Sequence, residues 1–122
     1  MTDKILYIAL CISIVGLLIL TYVSEILEPP ISRIGDINTN SLGKNLHVRG
    51  NISRIHEFKG GSIILTIRDN TGEVDVYLDY YIAKSMPEIL KAKEVDVIGE
   101  LDEYEGRLEI IPKKSNWIRI IS

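Results

Sequence analysis

Residues 94–101, Glu94-Val95-Asp96-Val97-Ile98-Gly99-Glu100-Leu101, decide the fold. Val95, Val97 and Leu101 fall on one phase of a two-residue period, the pattern of a strand with one face buried. Gly99 takes the remaining place on that phase. A mid-strand glycine weakens a flat strand, but it permits the sharp coil that a small closed barrel needs. The arrangement recurs upstream, where Leu46-His47-Val48-Arg49-Gly50-Asn51-Ile52 also alternates, so that Val48-x-Gly50-x-Ile52 matches Val97-x-Gly99-x-Leu101. Two glycines in matching positions predict closure, which a sandwich would not require.

Between these segments lie two more alternating runs, Ser62–Asp69 and Glu73–Leu78. Lys59-Gly60-Gly61 and Asn70-Thr71-Gly72 are hairpin signals joining the first three strands. Asp69, before the second turn, is expected to tie it through an Asx hydrogen bond. Tyr80–Lys91 loses the alternation and reads as a helix. Arg107–Pro112 closes the series after a loop over 102–106. The order is β-β-β-α-β-β, an all-β domain over 43–122 preceded by a linker over 29–42, in which Ile34 and Ile37 are expected to pack as a half-turn on the barrel.

Residues 1–28 belong to a different solvent. Ile5–Val23 is an uncharged, almost wholly apolar run of 19 residues. As a helix it spans about 28 Å, close to the roughly 30 Å hydrocarbon core of a bilayer. It has no polar stripe, Tyr7 and Tyr22 stand near its ends where interfacial rings gather, and Glu28-Pro29-Pro30 is expected to stop it. A cleaved signal peptide is the rival reading. The run exceeds the usual h-region and Thr21-Tyr22-Val23-Ser24-Glu25 is a poor cleavage site, so the expectation is an uncleaved single-pass anchor with the bilayer as partner through residues 5–23. Lys4 and the α-amine, set against Arg33, tilt the positive-inside balance toward a cytoplasmic N-terminus and a β domain outside the cytoplasm.

The chain carries 14 Lys+Arg and 17 Asp+Glu. Removing Lys4 and the acids Asp3, Glu25 and Glu28 leaves 13 and 14 in the part from Pro29 onward, a net −1. A dedicated duplex-DNA binder is strongly basic. The single cysteine, Cys11, lies in the apolar run, which rules out an intrachain disulfide. His47 and His56 have no partner at metal-ligand spacing, so no metal is expected. No nucleophile stands with a base and no GxxxxGK loop appears; the sequence predicts neither catalysis nor a cofactor.

The residues Gly43-Lys44, Val48-x-Gly50-x-Ile52, Leu65-x-Ile67-x-Asp69, Thr71-Gly72-x-Val74-x-Val76 and Val95-x-Val97-x-Gly99-x-Leu101 resemble the tRNA-anticodon/helicase type of OB-fold domain, over about Gly43 to Ile111. The resemblance implies a five-stranded OB-fold barrel that binds single-stranded nucleic acid across strands 1 to 3 and the loops 1–2 and 4–5. Alternation puts His47, Arg49, Asn51, Ile64, Thr66, Arg68, Asp75 and Tyr77 on the outer face. The expected nucleic-acid contact set is then Arg49 and Arg68 for phosphates, Tyr77 for stacking, Asn51 and Thr66 beside them on the same face, Phe58 and Lys59 from the first loop, and Tyr104 with Arg107 from the second. Two positions depart from the family: Ile64 stands where anticodon-binding members carry a stacking phenylalanine, and Asp75 where an amide is common. Each lost stacking partner forfeits about 1–3 kcal/mol. Weak, sequence-tolerant binding is therefore expected. The alternative is an OB-fold used as a protein-interaction or envelope-structural module. A haem-chaperone role is excluded because the tail Lys113–Ser122 has no His, Cys or Tyr.

Overall fold

In the computed structural model, residues 2–26 and 29–122 are described. Leu27 and Glu28, where the first helix is expected to stop, lie outside the described residues, as does the side chain of Tyr22. Helix α1 (Thr2–Ile26) contains the stretch Asp3–Leu20, exposed throughout, with mean hydropathy 2.2. It is long and apolar enough to cross a membrane, a test that a signal sequence also passes. Ser13 Oγ donates to the carbonyl of Ala9 at 3.0 Å, so the hydroxyl inside the apolar run is satisfied by the helix itself.

Strand β1 (Asn45–Glu57) changes partner halfway. Asn45–Asn51 pair antiparallel with β4 (Glu94–Tyr104), and Asn51–Glu57 with β2 (Ile63–Arg68). Strand β2 continues to β3 (Glu73–Leu78), whose Asp75 and Val76 lie parallel to Glu109 and Ile110 of β5 (Arg107–Ile111). Strand β5 returns to β4, and the ring closes. The expected closing glycines sit where the strands bend. A Cβ on Gly50 would stand 2.8 Å from the carbonyl oxygen of Arg68, and one on Gly99 2.8 Å from Ile111 C and Pro112 N. Backbone occupies the space a side chain needs.

Val48, Leu65, Ile67, Val76, Val95, Val97 and Ile110 fill the barrel with essentially no exposure, each burial contributing about 1.5–3 kcal/mol. Ile52, Ile55 and Leu46 pack at the margin. Between β3 and β4, the expected helix is broken in two: α2 (Tyr80–Ser85), capped by Asp79 Oδ1 accepting from Ile82 N at 2.9 Å, and a 3-10 turn at Pro87–Lys91. Pro87 disfavours the helical region for Met86, which sits at φ −131° and ψ 62°. Ile89 on that turn plugs the barrel end.

Three features differ from the sequence expectation. A short strand, β6 (Ile118–Ile120), adds to β4 beyond the five of the barrel. The last hairpin turns on Glu105 and Gly106 alone, both at positive φ, so Tyr104 stands on a strand opposite Arg107 rather than in a loop. And the stretch 29–42, expected to be a connector, lies on the barrel. Ile31 bridges to His47, Ser32 N donates to His47 O at 2.7 Å, and Ile34, as expected, packs into the core in a 3-10 turn.

Candidate ligand-binding groove

The outer face is set by a bulge. Ile52 pairs with Ile67 but Arg54 with Thr66, leaving Ser53 as the extra residue. Beyond it the phase of β1 reverses, so Arg54, His56 and Phe58 join the outer face while Ile55 turns to the core. The sequence reading missed Arg54 and His56. The signal was there: inward Ile52 is followed by Ile55, three residues on instead of two.

Two cross-strand rows result. Arg54, Thr66, Asp75, Glu109 and Asp102 lie side by side across β1, β2, β3, β5 and β4, and His56, Ile64 and Tyr77 form the next row. Above the second row opens a groove of ≈ 470 Å³ lined by Phe58, Ser62, Ile64, Tyr77, Asp102, Tyr104, Glu109 and Ile111. Phe58 and Tyr104 are exposed at 41% and 64%, and the Phe58 ring meets His56 edge-on at 4.5 Å. Aromatic walls, an aliphatic floor and two carboxylates define the groove. No basic residue lines it among the described residues.

The expected contact residues divide accordingly. Phe58, Tyr77 and Tyr104 come together at the groove, and Lys59 is exposed at the adjoining turn, which closes through Gly61 N donating to Phe58 O. Thr66, expected as an open contact, is buried, and its hydroxyl donates to Asp75 Oδ1 at 2.8 Å. Arg107 approaches that same Asp75 at 3.4 Å. Arg68 pairs with Glu73 at 3.8 Å, both largely exposed. Asn51 is exposed opposite Arg68, at the point where β1 changes partner.

Arg49 belongs elsewhere. It stands 3.7 Å from Asp96, a buried acid on β4 that also accepts from Arg119 of β6 at 2.9 Å and contacts His47 Nε2. His47, expected on the open face, is 5% exposed, with Nδ1 2.9 Å from the carbonyl of Pro29. The chain arriving at the barrel covers it.

Electrostatics separates two further acids, Asp69 in the β2–β3 turn and Glu109 in the groove. Burial alone would raise the Asp69 carboxyl, but donors from Ile34 N, Thr71 (hydroxyl and N) and Gly72 N outweigh it and lower the pKa from 3.8 to about 2. The expected Asx turn is thus made, and it also fastens Ile34. Glu109 moves the other way: burial, then the charges of Asp75 and Asp102, raise its carboxyl, with Arg107 opposing.

No protein-family model and no curated protein matches the chain. Solved structures do. OBody AM1L10 bound to hen egg-white lysozyme is 22% identical with TM-score 0.62, covering 79% of this chain and 96% of that one. Asparaginyl-tRNA synthetase from Pyrococcus horikoshii, complexed with asparaginyl-adenylate, is 20% identical with TM-score 0.64 over 77% of this chain but 23% of its own. The hypothetical protein ygiW from E. coli is 20% identical with TM-score 0.54, covering 76% and 91%. At such identities the likeness establishes architecture, and it agrees with the ring of strands and the helix between β3 and β4: the chain carries an OB-fold barrel.

Proposed function

We propose that this chain is a membrane-anchored OB-fold module whose groove binds an extended segment of a partner protein, without catalysing a reaction. The observation that carries the reading is the charge arrangement. Arg49, Arg68 and Arg107, the arginines of the expected contact set, each face a carboxylate, and the groove itself presents Asp102 and Glu109. A phosphate backbone is repelled there, whereas a polypeptide is not. An OBody bound to lysozyme is an OB-fold with a protein ligand, which supports this use of the scaffold.

Weak single-stranded nucleic-acid binding is the second reading. Phe58, Tyr77 and Tyr104 favour it, since rings on one groove stack bases of any sequence, and the likeness to a tRNA synthetase supports it. Helix α1 supports the anchor in either case, with the barrel outside the cytoplasm by the balance of Lys4 against Arg33.

The full chain in nanodiscs of neutral lipid separates the readings. Labelled oligo-dT and oligo-U are expected to show no binding at about 50 or 200 mM salt, because the groove's carboxylates repel phosphate and the nearby arginines already face acids. Peptide binding that falls on Tyr104→Ala is expected instead. Oligonucleotide affinity dropping with salt would overturn the protein reading in favour of the second. For the anchor, carbonate-washed membranes are expected to retain a chain whose mass includes residues 1–28; a soluble product lacking them identifies a cleaved leader.

A further inference from the structure

We propose that the groove between Phe58 and Tyr104 receives a lysine or arginine side chain of an extended partner polypeptide, with Glu109 as its counter-ion. The inference rests on the protein-binding reading and names the chemistry the partner must carry.

Glu109 is the reason. It is 8% exposed and lines the groove, yet among the described residues no hydrogen bond or ion pair reaches its carboxylate. No buried side-chain oxygen in the described structure is shut away without a partner, so this carboxylate opens onto the groove. Its cross-strand neighbours are Asp75 on one side and Asp102 on the other. The cation acting on it, Arg107, is itself drawn 3.4 Å from Asp75 and lies outside the groove lining. A mostly buried carboxylate flanked by two more is unfavourable unless a cation joins it. The same molecule shows the settled form of such a group at Asp96, which contacts His47, Arg49 and Arg119.

The rest of the groove suits a cation on a carbon stem. Exposed ring faces at Phe58 and Tyr104 attract ammonium and guanidinium groups through their quadrupoles. Ile64 and Ile111 offer an apolar bed for the alkyl stem, with the charged head reaching the acids. Charge complementarity and shape point to one kind of side chain.

The test uses the full chain in phosphatidylcholine nanodiscs and three fluorescein-labelled decapeptides, in which serine alternates with lysine, glutamine or glutamate. The lysine peptide is expected to bind about tenfold more tightly than the glutamine peptide, and the glutamate peptide not at all. Glu109→Gln is expected to remove that preference and leave the glutamine peptide unchanged, while Glu88→Gln, on the 3-10 turn, changes nothing. Should Glu109→Gln misfold, Asp102→Asn, at an exposed position, reads the same preference. Equal, Tyr104-dependent binding of the lysine and glutamine peptides would overturn the cation assignment and leave the groove a protein site. Binding of no peptide overturns both. Displacement of the lysine peptide by free spermine as readily as by unlabelled peptide assigns the site to a small polyamine, and overturns the polypeptide partner.

Discussion

Asp96 and Glu109 are two buried acids on neighbouring strands of one small barrel, β4 and β5, and the chain treats them differently. Asp96 is 3% exposed and is met by His47, Arg49 and Arg119, drawn from β1 and β6. Glu109 is 8% exposed, and its strand neighbours are acids. The first arrangement holds the arriving chain and the last strand to β4. The second leaves a carboxylate without a hydrogen bond or ion pair among the described residues, beside an open groove. A buried ion with its counter-ions in place reads as architecture, and one without them reads as a place for something else.

The comparison breaks most visibly at Asp96. Asp96→Ala strips the carboxylate from three basic groups, one of them buried, and urea unfolding is expected to show a loss of about 3 kcal/mol. An unfolding midpoint close to the parent's would mean the cluster is decoration. Next comes Asp69, whose carboxylate collects donors from Ile34, Thr71 and Gly72. Asp69→Ala is expected to cost about 2 kcal/mol and to loosen the 29–42 segment, visible as faster amide exchange at Ile34 and Gly35. Because the fold lowers this pKa from 3.8 to about 2, its contribution is complete above pH 3.8 and fades as pH drops toward 2. The parent should therefore lose this increment over that window, and Asp69→Asn, which starts without it, should not.

Gly99→Ala follows, since its Cβ would meet backbone at Ile111 and Pro112; about 1–2 kcal/mol of destabilisation is expected, with barrel closure strained rather than lost. The smallest effect has the opposite sign. The folded state raises the pKa of Glu109 above 4.5, so ionising it costs the native protein more than the unfolded chain. Glu109→Gln should then stabilise at neutral pH by less than about 1 kcal/mol, and the advantage should vanish as pH falls toward 4.5 and the parent's carboxyl takes up its proton. A thermal midpoint lowered by Glu109→Gln at pH 7 would contradict the contrast.

Local pattern carried much of this to the reader of the sequence. Alternation located five strands, Gly50 and Gly99 announced closure, and Asp69 ahead of Asn70-Thr71-Gly72 announced its own turn. These features depend on residues adjacent along the chain. What stayed hidden depends on distant ones. His47 looks like an outward residue of β1 until Pro29 to Ser32 lie over it. Thr66 looks available until Asp75 takes its hydroxyl. Strand β6 has three residues, too few to show a period, and exists because β4 offers it an edge. Glu109 alternates like any strand acid, and nothing local says that Asp75 and Asp102 flank it.

The early docking of Ile31 sets a length. Ile26 is the last described residue of α1, and Ile31 already bridges to β1. Those five steps of chain reach at most about 18 Å when fully drawn out. With α1 seated in a bilayer, as proposed above, the barrel is kept on a short leash, and a partner has to present itself within a few nanometres of that surface.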